Sequence, residues 1–384
     1  MVVTTESDRV LEYAVEAGQV PGVIALAADD HGVIYAGPFG KRAVDSTVPM
    51  SLDTVVWIAS MTKAVTSVGA MQLVERGLIA LDEPLPELAA VQVLTGFDQS
   101  GIPQLRPPRR PITLRLLLTH TAGFTYGTWN ADMVRYEQHT GMPAIGACQL
   151  GALTAPLMFD PGERWEYGIG IDWVGQVVER VSGQRLEEYF REHIFGPLGM
   201  GDTSFVLRED QRRRRAAMHQ RLPDGSLEVV PHEMPQQPEF FMGGGGLYST
   251  GPDYLRFLRM LLGDGQLDGA RVLAASTVAE MNQNQIGDLT AGVLKSVNPG
   301  SSNDAEFFPG MPKKWGLGYM ITTLDTPTGR AAGSLAWAGL ANTYYWLDPV
   351  KRVAGVLMTQ VLPFADPTVL GLLDRFERAV YATN

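Results

Sequence analysis

The chain has 384 residues, 45% of them hydrophobic and 19% charged, which suits one large folded domain or two smaller ones and excludes a disordered or fibrous chain. Its formal charge of −11 disfavours nucleic acid and anionic membrane surfaces as partners. No run of 18 apolar residues suggests a membrane span, Met1 to Asp8 lacks the basic start and apolar core of a signal peptide, and Cys148 is the single cysteine, so a cytoplasmic protein without internal disulfides is expected.

In chain order, Asp8 to Ala17 reads as a helix closed by Gly18. Val23 to Ala28 and Val33 to Ala36 read as two strands across a turn at 29–32. An apolar segment, Val55 to Ala59, runs into Ser60-Met61-Thr62-Lys63 and then a helical pattern ending at Gly77. Residues 78–240 are richer in helical patterns and loops, with helices expected over Ile171 to Val181 and Leu186 to Phe195. Asn, Gly, Ser and Pro clusters mark 284–312 as a long loop, a lid or wall of a site. Trp315 to Ile321, Thr343 to Leu347 and Val353 to Thr359 read as strands, and Asp366-Pro367 opens a final helix to about Tyr381. The expected architecture is α/β: residues 1–77 and 241–384 form one discontinuous domain around a central antiparallel sheet, and 78–240 form a mainly helical domain. The active site is expected at their interface.

Ser60 and Lys63 carry the first chemical signal. Residues three apart share a helix face, so the Lys63 amine can reach the Ser60 hydroxyl. A serine is a weak nucleophile until a base takes its proton, and a partly buried lysine with a lowered pKa can do so. Ser-x-x-Lys recurs by chance in chains of this length, so its context must carry the reading. A second candidate is Tyr167, in a Gly-rich turn just before a helix. A third is Trp337-Ala338-Gly339, where small residues let a substrate carbonyl approach backbone N–H groups, as an oxyanion hole requires.

These segments occur together with Leu116-Leu117-Leu118-Thr119-His120-Thr121-Ala122-Gly123, with Phe159-Asp160-Pro161-Gly162 before Tyr167, and with Pro197-Leu198-Gly199-Met200. Gly243 to Gly246 followed by Leu247-Tyr248-Ser249-Thr250, and Trp315-Gly316-Leu317-Gly318-Tyr319, complete the pattern. In that order the chain resembles the serine β-lactamase and penicillin-recognising superfamily, specifically its class C-like esterase branch, the family VIII carboxylesterases. The resemblance implies that Ser60 is the nucleophile, that Lys63 helps deprotonate it and that Tyr167 is the base or proton shuttle to the leaving group and then to water. It implies an oxyanion hole made by the backbone N–H groups of Ser60 and Leu340. A Lys63 ammonium between Ser60 and Tyr167 is expected to pull the phenol pKa from about 10 toward neutrality.

Two departures bear on the substrate. The β-lactamases and D-alanyl peptidases of this superfamily carry Asn two residues after the Tyr or Ser of the second motif, where Ile169 stands here. Their third motif begins with Lys, where Trp337 stands. Losing that charge-assisted contact costs a carboxylated lactam or peptide about 1.5–3 kcal/mol. A neutral small-molecule ester needs neither contact, and Trp337, Tyr344, Phe124 and Tyr126 are expected to wall an apolar pocket. The expectation is a serine carboxylesterase acting on short-chain esters. Acyltransferase, amidase or weak β-lactamase activity stays open, as does the oligomeric state. Ser249 is a weak rival nucleophile, because Leu247 replaces the first Gly of a nucleophile elbow. His120 reads as a structural turn near the cleft, Arg212 to Arg215 as a solvated helix face, and Gly243 to Gly246 as tight backbone packing near the site. No metal or nucleotide cofactor motif occurs.

Overall fold

The computed structural model describes residues 5–382; residues 1–4, part of the segment read for a leader, lie outside the described residues. Helix α1 (Glu6–Glu16) opens on a capping box, in which Thr5 Oγ1 accepts from the Asp8 N–H at 3.1 Å and the Asp8 carboxylate accepts from the Thr5 N–H at 2.8 Å. Strands β1 (Gly22–Ala28) and β2 (Val33–Gly40) form the expected antiparallel hairpin. The sheet is completed by β3 (Lys313–Trp315), β4 (Met320–Thr322), β5 (Leu335–Gly339), β6 (Thr343–Asp348) and β7 (Val353–Met358). Their order is β3-β4-β5-β6-β7-β1-β2, antiparallel throughout, so β1 from the start of the chain pairs with β7 near its end, from Ile24 opposite Met358 to Ala28 opposite Ala354.

Strands β1, β6 and β7 are buried along their whole length, because helices cover both faces of the sheet. The last helix, α5 (Pro367–Ala382), lies on one face, where Phe376 packs on Trp346 and Tyr35. Helix α4 (Gly251–Leu262) lies on the other, with Tyr254 against Tyr345. Helix α2 (Thr62–Glu75) is buried from Thr62 to Leu73, as its small and apolar residues on every side require of a central helix. Helix α3 (Gly170–Ser182) packs beside it.

Four expectations need correction. Trp315 to Ile321 is two strands, not one: Gly318, at φ +117°, turns the chain so that Trp315 pairs with Met320. The helix read over Leu186 to Phe195 is α-helical only to Phe190, passes through one π turn, Arg191–Phe195, and resumes over Gly196–Leu198. Leu335–Gly339, of which only Trp337-Ala338-Gly339 was singled out above and not as a strand, is itself a strand inside the sheet. The stretch expected to be helices and loops also holds two hairpins, Val93–Phe97 with Pro103–Arg106 and Met218–Arg221 with Leu227–Val230. The 284–312 loop does form a wall: the Val297 N–H donates to Thr128 O at 2.9 Å, and Trp129 Nε1 donates to Ser302 Oγ at 3.1 Å. Among the described residues, no helix is long and apolar enough to cross a membrane.

Candidate active site

A short ribbon, Val56–Trp57 paired with Tyr248–Ser249, delivers the chain to a 3-10 turn over Ala59–Met61 that continues into α2. Ala59 has φ 45°, a left-handed conformation that costs a non-glycine residue on the order of 1–3 kcal/mol. That turn leaves Ser60 half-buried at the head of an otherwise buried helix. One turn on, the buried Lys63 directs Nζ to Ser60 Oγ at 3.1 Å, to Tyr126 Oη at 2.9 Å and to Gly244 O at 2.5 Å. Burial lowers the Lys63 amine to about 7, with the Asp172 carboxyl opposing the shift.

Tyr167 arrives from the opposite side on the turn before α3. Gly168 permits that turn, because a Cβ there would collide with the Phe124 backbone. The Gly168 N–H donates to His120 Nδ1 at 3.3 Å, and the His120 ring lies 4.7 Å from the Tyr167 ring, so His120 holds the turn in place. Trp337 Nε1 donates to Tyr167 Oη at 3.0 Å. Lys63 Nζ lies over the face of the Tyr167 ring, 4.6 Å from its centre, where the ring favours a positive charge. The expected fall in the phenol pKa does not occur. Burial dominates and pushes Tyr167 above its ordinary value, while hydrogen bonds to Ser60 and Trp337 only partly offset it. Near neutral pH Tyr167 is a phenol, able to give or relay a proton.

The third segment lies on β5 and the turn after it. A Cβ at Gly339 would strike the Ile58 carbonyl and the Thr343 hydroxyl, and Thr343 Oγ1 donates to Ile58 O at 3.3 Å. This close approach sets Ala338, Gly339 and the half-buried Leu340 beside the turn that carries Ser60. Trp337 is buried among Trp315, Tyr167 and Phe307, with ring centres 4.6, 4.9 and 5.9 Å away.

The expected pocket residues divide. Phe124 and Ile169 are buried in the core, Phe124 behind Gly168 and Ile169 at the start of α3. Tyr126 is a hydrogen-bond partner of Lys63 and not simply an apolar wall. Tyr344 donates to Asn342 Oδ1 at 2.6 Å and faces a cavity of about 340 Å³ shared with Phe307, Trp337 and Leu373, whose lining does not include Ser60. Ser249 is fully buried against the Thr203 hydroxyl, out of reach of a substrate. Arg212, Arg214 and Arg215 are paired with Glu233, Asp202 and Asp210, so that run is an ion-pair network and not merely a solvated face.

Sequence reasoning missed an apolar cluster separate from the main core. Ala59, next to Ser60, packs there with Cys148, Leu153, Phe240 and Met242, and Leu340 lies against it. Only Phe240-Phe241-Met242, an apolar triplet ahead of the glycine run, pointed to it. Sequence reasoning also missed Asp172, whose signal was a lone carboxylate on the apolar face of α3.

The sequence profile of the Beta-lactamase family matches residues 8–376. The chain is 34% identical over 395 residues to the lovastatin esterase of Penicillium rubens, covering 97% of each chain. It is 34% identical over 390 residues to the monacolin J acid methylbutanoyltransferase of Aspergillus terreus, covering 96% of this chain and 93% of the relative. The unliganded, selenomethionyl simvastatin synthase of Aspergillus terreus superposes with a TM-score of 0.86 at 33% identity, over 98% of this chain and 97% of the other.

Proposed function

The chain belongs to the β-lactamase family of serine hydrolases, and on that premise we propose that it is a carboxylesterase acting on short-chain, neutral small-molecule esters through an acyl-Ser60 intermediate. One observation carries the reading: Lys63 Nζ lies 3.1 Å from Ser60 Oγ and 4.6 Å from the centre of the Tyr167 ring, whose hydroxyl is fixed by Trp337. Neutral Lys63 takes the Ser60 proton as Oγ bonds to the ester carbonyl carbon. The backbone N–H groups of Ser60 and Leu340 receive the oxyanion. As the carbonyl re-forms, the bond to the alkoxide breaks, Tyr167 gives the leaving oxygen a proton and Lys63 restores it to the phenol. A water molecule then repeats the sequence in reverse, releasing the acid and Ser60. The apolar cluster at Ala59 and Leu340 suits a short acyl chain. Ile169 and Trp337 offer no amide or cation to a carboxylated lactam or peptide.

A second reading, transfer of the acyl group to an alcohol, is favoured by the wall over Tyr167. Trp129, 5.4 Å from that ring and hydrogen-bonded to Ser302, covers this side of the site, which would limit the access of water to the acyl group. The relatives fit both readings, since one is named an esterase and another a methylbutanoyltransferase. Release of p-nitrophenol from p-nitrophenyl butyrate separates them. Steady turnover in plain buffer, unchanged by added alcohol, is expected of the esterase. A burst and slow turnover that alcohol accelerates would assign the transferase instead.

A further inference from the structure

Asp172 is completely buried in the first turn of α3, five residues after Tyr167, and the chemistry above makes no use of it. Its Oδ1 accepts from the Gly244 N–H at 2.8 Å, and its Oδ2 is buried without a hydrogen-bond partner. The carbonyl of the same glycine accepts from Lys63 Nζ at 2.5 Å, so the Gly244 backbone is clamped between the carboxylate and the lysine. The Thr66 hydroxyl fixes the neighbouring Gly243 O at 2.7 Å, one helical turn beyond Lys63. Only glycine permits this approach, because a Cβ at 244 would lie 2.6 Å from the Asp172 carboxylate.

Burial raises the Asp172 carboxyl to about 6, and the Lys63 charge opposes that rise, so the ionised carboxylate depends on a compensating charge beside it. The titratable groups facing this pair are Tyr126 and Tyr167, His120 on the Lys63 side and Cys148 on the Asp172 side. Burial holds the tyrosines and Cys148 in their neutral forms, and burial together with Lys63 holds His120 neutral. Lys63 is therefore the group among these that can become a cation facing Asp172, as it does on taking the Ser60 proton.

We propose that Asp172 is a positioning residue for acyl transfer, a buried counter-charge that favours the Lys63 ammonium formed as Ser60 attacks and aims Nζ at Ser60 through the Gly244 backbone. The inference rests on the reading of Lys63 as the base.

The test is the pH profile of kcat/KM for p-nitrophenyl butyrate in wild type, Asp172→Asn and Gly244→Ala, with circular dichroism confirming that each is folded. Asparagine keeps an oxygen for the Gly244 N–H and removes the charge; alanine keeps the charge and displaces the carboxylate. Losing a nearby negative charge makes the ammonium less favourable, so the acid limb moves to lower pH, by about 1–2 units in Asp172→Asn and in the same direction in Gly244→Ala. The pH-independent kcat is expected to fall at least about tenfold in Asp172→Asn, because the forming ammonium loses its counter-charge. A wild-type limb that neither variant moves would overturn the role of Asp172 and leave Lys63 as the base. A flat wild-type profile would overturn Lys63 as the base, and this inference with it.

Discussion

Lys63 is almost wholly buried among its partners, and the cost of holding a charge there brings its amine to about 7. A base must be unprotonated to act, so kcat/KM is expected to rise with pH through about 7 and to level off above it. A steady-state profile from pH 5 to 9 checks this. Tyr167 is shifted the other way and stays a phenol, the form that the proposed donation to the leaving group requires. Tyr167→Phe is expected to lower kcat by about 10²–10⁴-fold, the usual worth of a positioned acid or base. A loss under threefold would move that step to Lys63 or water. That Ser60, Lys63 and Tyr167 come together was legible in the sequence because each stands in a local pattern. The protonation of Tyr167 was not, because it depends on burial by Trp129 and Trp337, which lie 38 residues before and 170 residues after it. Tyr126 and Asp172 were unreadable as partners of Lys63 for the same reason: the contacts that define them cross the chain.

At the scale of elements, the site depends on backbone approaches that a side chain would block. The end of β5 lies against the turn before Ser60, and Gly339 is the point of contact. Gly339→Ala is expected to cost about 1–3 kcal/mol of stability through overpacking, read from urea unfolding. It is also expected to lower kcat further than that destabilisation explains, because Leu340 moves away from the reacting carbonyl. Full activity at wild-type stability would remove this contact from the account. The helix that carries Lys63 and both strands of the first hairpin were legible, since apolar periodicity and turn residues mark them. Trp315 to Ile321 misled because its apolar pattern continues through a turn, and Gly318 was the local clue. Leu335–Gly339 lacked the alternation of a half-exposed strand because both its faces are buried.

At the scale of the molecule, β1 from the start of the chain is bonded to β7 near its end, so the sheet closes only when the termini meet. The last helix secures that arrangement through a buried ion pair, Arg330 Nε to Glu377 Oε2 at 2.9 Å. Glu377→Ala strands a buried guanidinium and is expected to cost about 3–5 kcal/mol, read from the urea midpoint, whereas joint Arg330→Met and Glu377→Leu replacement is expected to stay near wild type. A single variant as stable as wild type would show that the pair is dispensable. The two-ended sheet was legible from strands at both termini, but this pair joins a loop residue to a helix residue 47 positions later and leaves no local pattern. All of this architecture serves one claim, that Ser60 carries the acyl group. Intact-protein mass spectrometry with peptide mapping, after mixing with p-nitrophenyl butyrate, tests it most directly. The account predicts a butyryl adduct on the peptide containing Ser60 in wild type and none in a folded Ser60→Ala variant. An adduct on another residue, or normal turnover by Ser60→Ala, would contradict it.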